Sequence, residues 1–134
     1  MTAKAFADTN IAIYAEGSDV SKAQRAIAIL EPGPVISSQV VTETISTLTR
    51  KYGFTLTEAH EVALSLLDLC ELVPVGEETI REAIRLAARY QLSHWDSLIV
   101  AAALLAGCET LYSEDLQHNQ LFEGRLRVVN PFAS

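Results

Sequence analysis

The sequence predicts a single α/β domain with a mostly parallel, five-stranded sheet flanked by helices. Short apolar runs alternate with segments whose apolar residues recur at helical spacing, which is typical of a parallel sheet covered on both faces. The length of 134 residues is close to the commonest domain size. No linker, internal repeat or low-complexity segment divides residues 1–134. We therefore expect one domain with one hydrophobic core.

The five strands are predicted from short apolar runs that end at polar or turn-forming residues. These runs lie at residues 4–7, 35–36, 72–75, 110–112 and 126–129. Pro74 has no amide hydrogen to donate to a neighbouring strand, so the third run is expected near an edge of the sheet.

Helices are predicted between these runs, and the helix at residues 93–106 is the most apolar of them. After Asp96 it is apolar almost all round, which indicates a helix buried in the core. A carboxylate in the first turn of such a helix is costly unless it binds hydrogen-bond donors, a cation or a metal ion. The partner of Asp96 is therefore the central question that the sequence raises.

Composition excludes several classes of protein. The net charge of −7 argues against a surface covered with basic residues for nucleic-acid binding. It leaves phosphate chemistry open, because carboxylates that hold a divalent cation create a site that attracts phosphate. No apolar run approaches the ~20 residues that span a bilayer, and no signal peptide is evident, so we expect a soluble cytoplasmic protein. Cys70 and Cys108 lack zinc-site spacing and are expected to be core thiols.

Acidic residues follow several of the predicted strands. Asp8 closes the first strand, Asp115 follows the fourth, and Glu43 lies in the second turn of the helix after the second strand. In an open parallel sheet, sites form beyond the carboxyl ends of the strands, where the topology reverses. Taken singly, each acid also fits a helix cap, a turn or a solvated position, and Ser93-x-x-Asp96 fits a capping box.

Four acids at one edge would repel one another, by about 4 kcal/mol for each pair about 4 Å apart at an effective dielectric constant of about 20. Such a cluster needs a cation or raised pKa values. Oxygen ligands without histidine or thiolate favour Mg²⁺ or Mn²⁺, which would activate water for phosphodiester hydrolysis. Thr9, Asn10 and Ser113 could orient the carboxylates, although local caps and turns explain each of them equally well.

Two other features are interpreted as structural. Arg81, Arg85 and Arg89 form a stripe on one helix that could contact a nucleic-acid backbone, but interspersed glutamates favour a solvated, salt-bridged face. Trp95 could stack on a base together with His94, but a tryptophan that enters an apolar helix is expected in the core.

Four motifs follow one another along nearly the whole chain. They are Ala7-Asp8-Thr9-Asn10, Ser37-Ser38-Gln39-Val40-Val41-Thr42-Glu43, His94-Trp95-Asp96-Ser97-Leu98-Ile99-Val100-Ala101-Ala102-Ala103 and Tyr112-Ser113-Glu114-Asp115-Leu116-Gln117-His118. In this order they resemble the motifs of PIN domains, a Rossmann-like fold, and most closely those of VapC-type toxins of bacterial and archaeal toxin–antitoxin pairs. Similar proteins often have glycine after the last motif, where this chain has Asn119.

The resemblance implies a Mg²⁺-dependent endoribonuclease, with Mn²⁺ as a possible substitute. Its acidic site maps onto Asp8, Glu43, Asp96 and Asp115, with Thr9, Asn10 and Ser113 in support. Three of these acids, Asp8, Asp96 and Asp115, are the expected metal ligands, and Glu43 is a further ligand or the base that orients water. The resemblance also implies a homodimer that a small antitoxin silences by wrapping around it.

Two other classes of function stay open at this point. Asp8 after the first strand is similar to the phospho-acceptor signalling domains, but their acceptor aspartate follows the third strand, and residues 72–76 contain none. The third hypothesis is a binding module in which the acids hold a metal ion for structural reasons only.

Overall fold

The computed structural model describes residues 4–133 as a six-stranded sheet flanked by helices. The strands are β1 (Ala5–Ala7), β2 (Val35–Ser37), β3 (Glu71–Val73), β4 (Thr110–Tyr112), β5 (Leu121–Phe122) and β6 (Leu126–Val129). The helices are α1 (Thr9–Ala15), α2 (Val20–Leu30), α3 (Ser38–Lys51), α4 (Leu56–Leu69), α5 (Glu77–Tyr90) and α6 (His94–Leu105). The predicted α/β class is confirmed.

The strand order is β3-β2-β1-β4-β6-β5, and every neighbouring pair is parallel except β5 with β6. The expected edge position of the third strand is confirmed. The prediction of five strands is wrong by one, because β5 has only two residues and pairs back onto β6 across a tight turn. The chain builds outward from β1 in both directions, so a crevice opens between the carboxyl ends of β1 and β4.

Helix α6 lies in the core, as its sequence predicts. Every residue from Ser97 to Leu104 is buried, and the helix begins after Ser93, whose Oγ accepts a hydrogen bond from the Asp96 amide at 3.1 Å. Cys108, just beyond the helix, is a buried free thiol, and Cys70 is a half-buried one. Within residues 4–133, no helix combines the length and apolar character needed to cross a membrane.

Trp95 does not lie in the core, contrary to the sequence-based expectation. Its side chain is 63% exposed, and its ring packs edge-on against the ring of His94 at a centroid distance of 5.2 Å. The buried part of α6 begins only at Ser97, so the first turn still projects from the core. The apolar pattern of the helix therefore places the start of the buried segment too early, at Trp95 instead of Ser97.

The charged face of α5 consists of ion pairs, as predicted. Arg81 pairs with Glu77 at 2.8 Å, and Arg85 pairs with Glu82 one turn away. Arg85 also contacts Glu123 in the turn between β5 and β6, and Arg89 contacts the same carboxylate at 3.2 Å. These arginines are committed to carboxylates of this chain, which favours a structural role for the stripe.

Asn119 has a left-handed backbone conformation, with φ at 71°. Asparagine adopts this conformation more readily than other residues with a side chain, apart from aspartate. Its amide also donates to the carbonyl of Val128 at 2.9 Å. Asn119 therefore adopts a backbone conformation that favours glycine.

Gly33 allows a comparison of two glycines with similar backbone angles. Gly33 and Gly53 have φ values of 76° and 72°, but only at Gly33 would a Cβ meet another atom, the Leu69 carbonyl oxygen at 2.7 Å. We predict that Gly53→Ala costs about 1 kcal/mol of unfolding free energy and Gly33→Ala at least about 2 kcal/mol more. Urea denaturation of both variants measures this, and equal losses would contradict the contact.

Candidate active site

The candidate site lies at the crevice between β1 and β4, where the sheet topology reverses. The backbone amide of Asp8 donates to the carbonyl of Tyr112 at 2.9 Å, which fixes the start of α1 against the end of β4. Asp8 and Asp115 therefore lie at the same edge of the sheet. This is the arrangement that their positions after the first and fourth strands predict.

Asp8 is the most buried acid of the site, with only 4% of its surface exposed. Its Oδ1 accepts a hydrogen bond from the Thr9 amide at 2.7 Å, and its Oδ2 accepts one from Ser113 Oγ at 2.8 Å. Burial raises the pKa of Asp8 to about 7, and the carboxylates of Asp115 and Glu43 add to the increase, while the two hydrogen bonds oppose it. Asp8 caps α1, but a cap does not require this degree of burial.

Glu43 reaches the same edge from α3. Its Oε2 accepts a hydrogen bond from Thr9 Oγ1 at 3.1 Å, and its Oε1 accepts one from Gln39 Nε2 at 3.0 Å. Thr9 thus contacts two of the predicted acids, Asp8 through its amide and Glu43 through its hydroxyl. Both oxygens of the Glu43 carboxylate are held by neutral donors.

Asp115 is fixed by the loop after β4 and by α1. Its Oδ2 accepts a hydrogen bond from Asn10 Nδ2 at 3.2 Å, and its amide donates to Ser113 Oγ at 3.1 Å. Asn10 Oδ1 in turn accepts from the Glu114 amide at 3.3 Å. Thr9, Asn10 and Ser113 therefore all contact the predicted acids, and they do so without adding charge.

Asp96 joins the other acids through its charge. Burial raises the pKa of Asp96, the Ser93 hydroxyl opposes the increase, and the carboxylates of Asp115 and Glu43 raise the pKa further. The packing of α5 against α6 thus brings the first turn of α6 to the crevice, which sequence spacing alone does not determine. The carboxylates of Asp115 and Glu43 therefore act on both Asp8 and Asp96.

The cluster holds negative charge without a matching cation. Among residues 4–133, no lysine or arginine forms an ion pair with Asp8, Glu43, Asp96 or Asp115. In the same part of the chain, no three histidine, cysteine or acidic side chains converge tightly enough to hold a metal ion among them. The donor set still fits Mg²⁺, which usually binds through one or two carboxylates and several waters.

Gln39 is a residue of the site that sequence reasoning missed. It is 9% exposed, and its Nε2 also donates to the Trp95 carbonyl at 3.2 Å. Its spacing of four residues from Glu43 on a helix was an available signal, because such residues face one another. Beside them, a groove that includes Trp95 and Arg50 opens along α3.

Comparisons with known proteins identify the family of this chain and structures with a similar fold. The PIN domain family model matches residues 5–121. The comparison with curated proteins gave no match. A toxin–antitoxin complex from Klebsiella pneumoniae is similar at 22% identity and a TM-score of 0.74, with 96% of this chain and 98% of that chain covered.

Two further structures have the same fold at lower identity. VapC20 of Mycobacterium tuberculosis, described as a sarcin-ricin loop cleaving toxin, has 20% identity, a TM-score of 0.69 and coverage of 84% of this chain and 90% of its own. VapBC2 of Rickettsia felis, bound to a promoter DNA fragment, has 16% identity, a TM-score of 0.69 and coverage of 94% and 98%. With the family model covering most of the chain, this protein belongs to the PIN domain family.

Proposed function

We propose that this PIN domain is a Mg²⁺-dependent endoribonuclease and the toxin of a toxin–antitoxin pair that acts in the cytoplasm. One observation carries the proposal. Asp8 is buried beside other carboxylates, its pKa is raised to about 7, and no cation of residues 4–133 pairs with the cluster. A bound divalent cation would offset the free-energy cost of burying the Asp8 carboxylate and would reduce the repulsion among the acids.

Asp8, Asp96 and Asp115 are the proposed metal ligands, of which one or two would bind the ion directly and the rest through its waters. When bound, Mg²⁺ supplies a water of lowered pKa and neutralises charge on the phosphodiester. Glu43 orients the attacking water, and hydrogen bonds from Thr9 and Gln39 hold its carboxylate for that task. Mn²⁺ has the same preference for oxygen ligands and is expected to substitute.

RNA is the proposed substrate. One similar structure is described as a toxin that cleaves the sarcin-ricin loop, which supports the assignment. The groove along α3 presents an exposed tryptophan, Trp95, and an arginine, Arg50, next to Glu43. An aromatic ring and a guanidinium group are the side chains on which unpaired bases stack.

A small antitoxin is the proposed partner, and the toxin is proposed to work as a homodimer. Toxin–antitoxin complexes among the similar structures support the first part. A groove between α1, α2 and α4 has an apolar floor that includes Leu30 and Leu66 and an acidic rim that includes Glu16 and Glu61. Such a groove would accept a basic amphipathic segment of the antitoxin.

The nuclease hypothesis predicts metal-dependent cleavage that requires Asp8. Purified protein is expected to cleave structured RNA with Mg²⁺, and Asp8→Asn is expected to lower the rate at least about 100-fold. Asp68→Asn, an exposed acid on α4, is the matched control and is expected to retain activity. Cleavage that survives EDTA or Asp8→Asn would contradict the mechanism.

Phosphodonor labelling and the melting temperature in EDTA, measured beside RNA cleavage, separate the two other functions from a nuclease. A phospho-acceptor domain would be labelled at an aspartate by a small phosphodonor and would not cleave RNA. A structural metal module would lose melting temperature in EDTA and show no nuclease activity.

The raised pKa of Asp8 predicts a pH dependence of stability. Because the folded pKa of about 7 lies above the unfolded value of 3.8, the folded state binds more protons between these values. Protonated Asp8 therefore contributes up to ~4 kcal/mol to the free energy of unfolding. This contribution is fully present below about pH 4 and is lost as the pH rises through about 7. In Asp8→Asn, the free energy of unfolding is expected to fall less as the pH rises, because asparagine does not ionise. At about pH 8 this variant is expected to be more stable than the metal-free wild type.

Urea denaturation of both proteins across this pH range, in EDTA, measures the effect. Parallel curves for the two proteins would contradict the raised pKa. Because protons compete with the cation for Asp8, Mn²⁺ is expected to raise the wild-type melting temperature more at about pH 8 than at about pH 5.5.

The antitoxin hypothesis predicts that binding depends on the acidic rim of the groove. Combined Glu16→Lys and Glu61→Lys substitutions are expected to weaken binding of the co-purifying antitoxin by about tenfold or more without changing nuclease activity. Glu78→Lys with Glu109→Lys, both exposed and outside the groove, is the control of equal charge. Isothermal titration measures the affinities, and equal losses in both pairs would indicate a net-charge effect instead.

A further inference from the structure

Gln39 is the one buried amide in contact with the acidic cluster from α3. We propose that it is a positioning residue, which fixes the Glu43 carboxylate against the first turn of α6. The inference rests on the proposed nuclease function, because it assigns Gln39 a part in that reaction. It lies one helical turn before Glu43, and 9% of its surface is exposed.

The amide nitrogen of Gln39 joins two elements of the site. Nε2 donates to Glu43 Oε1 at 3.0 Å and to the Trp95 carbonyl oxygen at 3.2 Å. Trp95 directly precedes Asp96 in α6. One side chain therefore sets the position of the α3 acid relative to the backbone that carries the α6 acid.

The orientation of this amide has no alternative. Both partners of Nε2 are acceptors, so turning the amide over would place an oxygen against two other oxygens. In the orientation that remains, Oε1 is buried without a hydrogen-bond partner among the described residues. The side-chain hydrogen bonds of Gln39 are therefore the two that Nε2 donates, one to Glu43 and one to the Trp95 carbonyl.

The two hydrogen bonds that Glu43 accepts explain why the position of its carboxylate depends on Gln39. Thr9 holds Oε2 and Gln39 holds Oε1, so the plane of the carboxylate is set from both sides. The terminal torsion of a free glutamate is broad, and loss of one donor would allow the carboxylate to rotate. Misplacement of a reacting group by about 1 Å costs about 100-fold in rate.

The test compares three variants of the full chain in the RNA cleavage assay. Gln39→Met keeps the length of the side chain without a donor, and Gln39→Glu keeps its shape but places a charge beside Glu43. We expect kcat to fall about 10- to 100-fold in Gln39→Met and further in Gln39→Glu, with KM within about threefold of wild type. Thr49→Val is the control, because the Thr49 hydroxyl bonds only to carbonyls of its own helix and Thr49 lies outside the groove along α3.

Two measurements that do not depend on catalysis, the melting temperature and the Mn²⁺ affinity, test whether Gln39→Met damages the fold or the metal site. The melting temperature of Gln39→Met is expected within about 4 °C of wild type, because the two lost bonds are offset by removal of the unpaired oxygen. Its Mn²⁺ affinity, measured by titration calorimetry, is expected within about threefold, because Gln39 acts on Glu43 and not on the proposed metal ligands. Loss of both properties would overturn the positioning role.

A double-mutant cycle with Glu43→Ala gives the decisive readout. If Gln39 acts through Glu43, then Gln39→Met should have almost no further effect on kcat in the Glu43→Ala background. Additive losses would overturn the proposal, since structural damage would persist without Glu43. A wild-type chain that does not cleave RNA would overturn the proposed function and this inference with it. Active wild type with equally active Gln39→Met would overturn the role of Gln39 alone.

Discussion

The burial of the Asp8 carboxylate is the constraint on which the site depends. Asp8 closes β1, its amide bonds to the end of β4, and its side chain lies almost out of contact with solvent. Burial raises its pKa to about 7, two neighbouring carboxylates add to the increase, and two neutral hydrogen bonds oppose it. A domain that needed only a cap for α1 could meet that need at the surface. The cost of this burial is what links the fold of the protein to its proposed metal chemistry.

The acids of the site are held by hydroxyl and amide groups. Thr9, Asn10, Ser113 and Gln39 each bond to at least one of them, and within residues 4–133 no basic side chain takes that part. Neutral donors orient a carboxylate without cancelling its charge, so the site keeps its attraction for a cation. Arginine would satisfy the same oxygens but would occupy the place of the ion. The arginines of α5 are instead paired with glutamates of the same helix and of the β5–β6 turn.

Helix α6 combines two roles that its sequence displays separately. Its apolar remainder is buried from Ser97 onward, which holds the helix rigidly in the core. Its first turn projects from the core, where it presents Asp96 to the other acids and leaves Trp95 exposed. Rigid support behind a functional side chain is what precise placement requires. The exposed ring of Trp95 and the half-buried contact of its carbonyl with Gln39 both follow from this geometry.

Local pattern in the sequence was sufficient for the fold class, for the buried α6, for the salt-bridged face of α5 and for placing Asp8 and Asp115 after their strands. Each of these depends on periodicity or on the rule that parallel strands end at one edge. Only the tertiary structure could place Asp96 near Asp115 and Glu43, expose Trp95, add the two-residue β5 and join Gln39 to the Trp95 carbonyl. These features depend on how α5, α6 and α3 pack, and on contacts between residues far apart in the chain. A sequence pattern records which face of an element is apolar, but the distance between two elements is set by the packing of all the side chains between them.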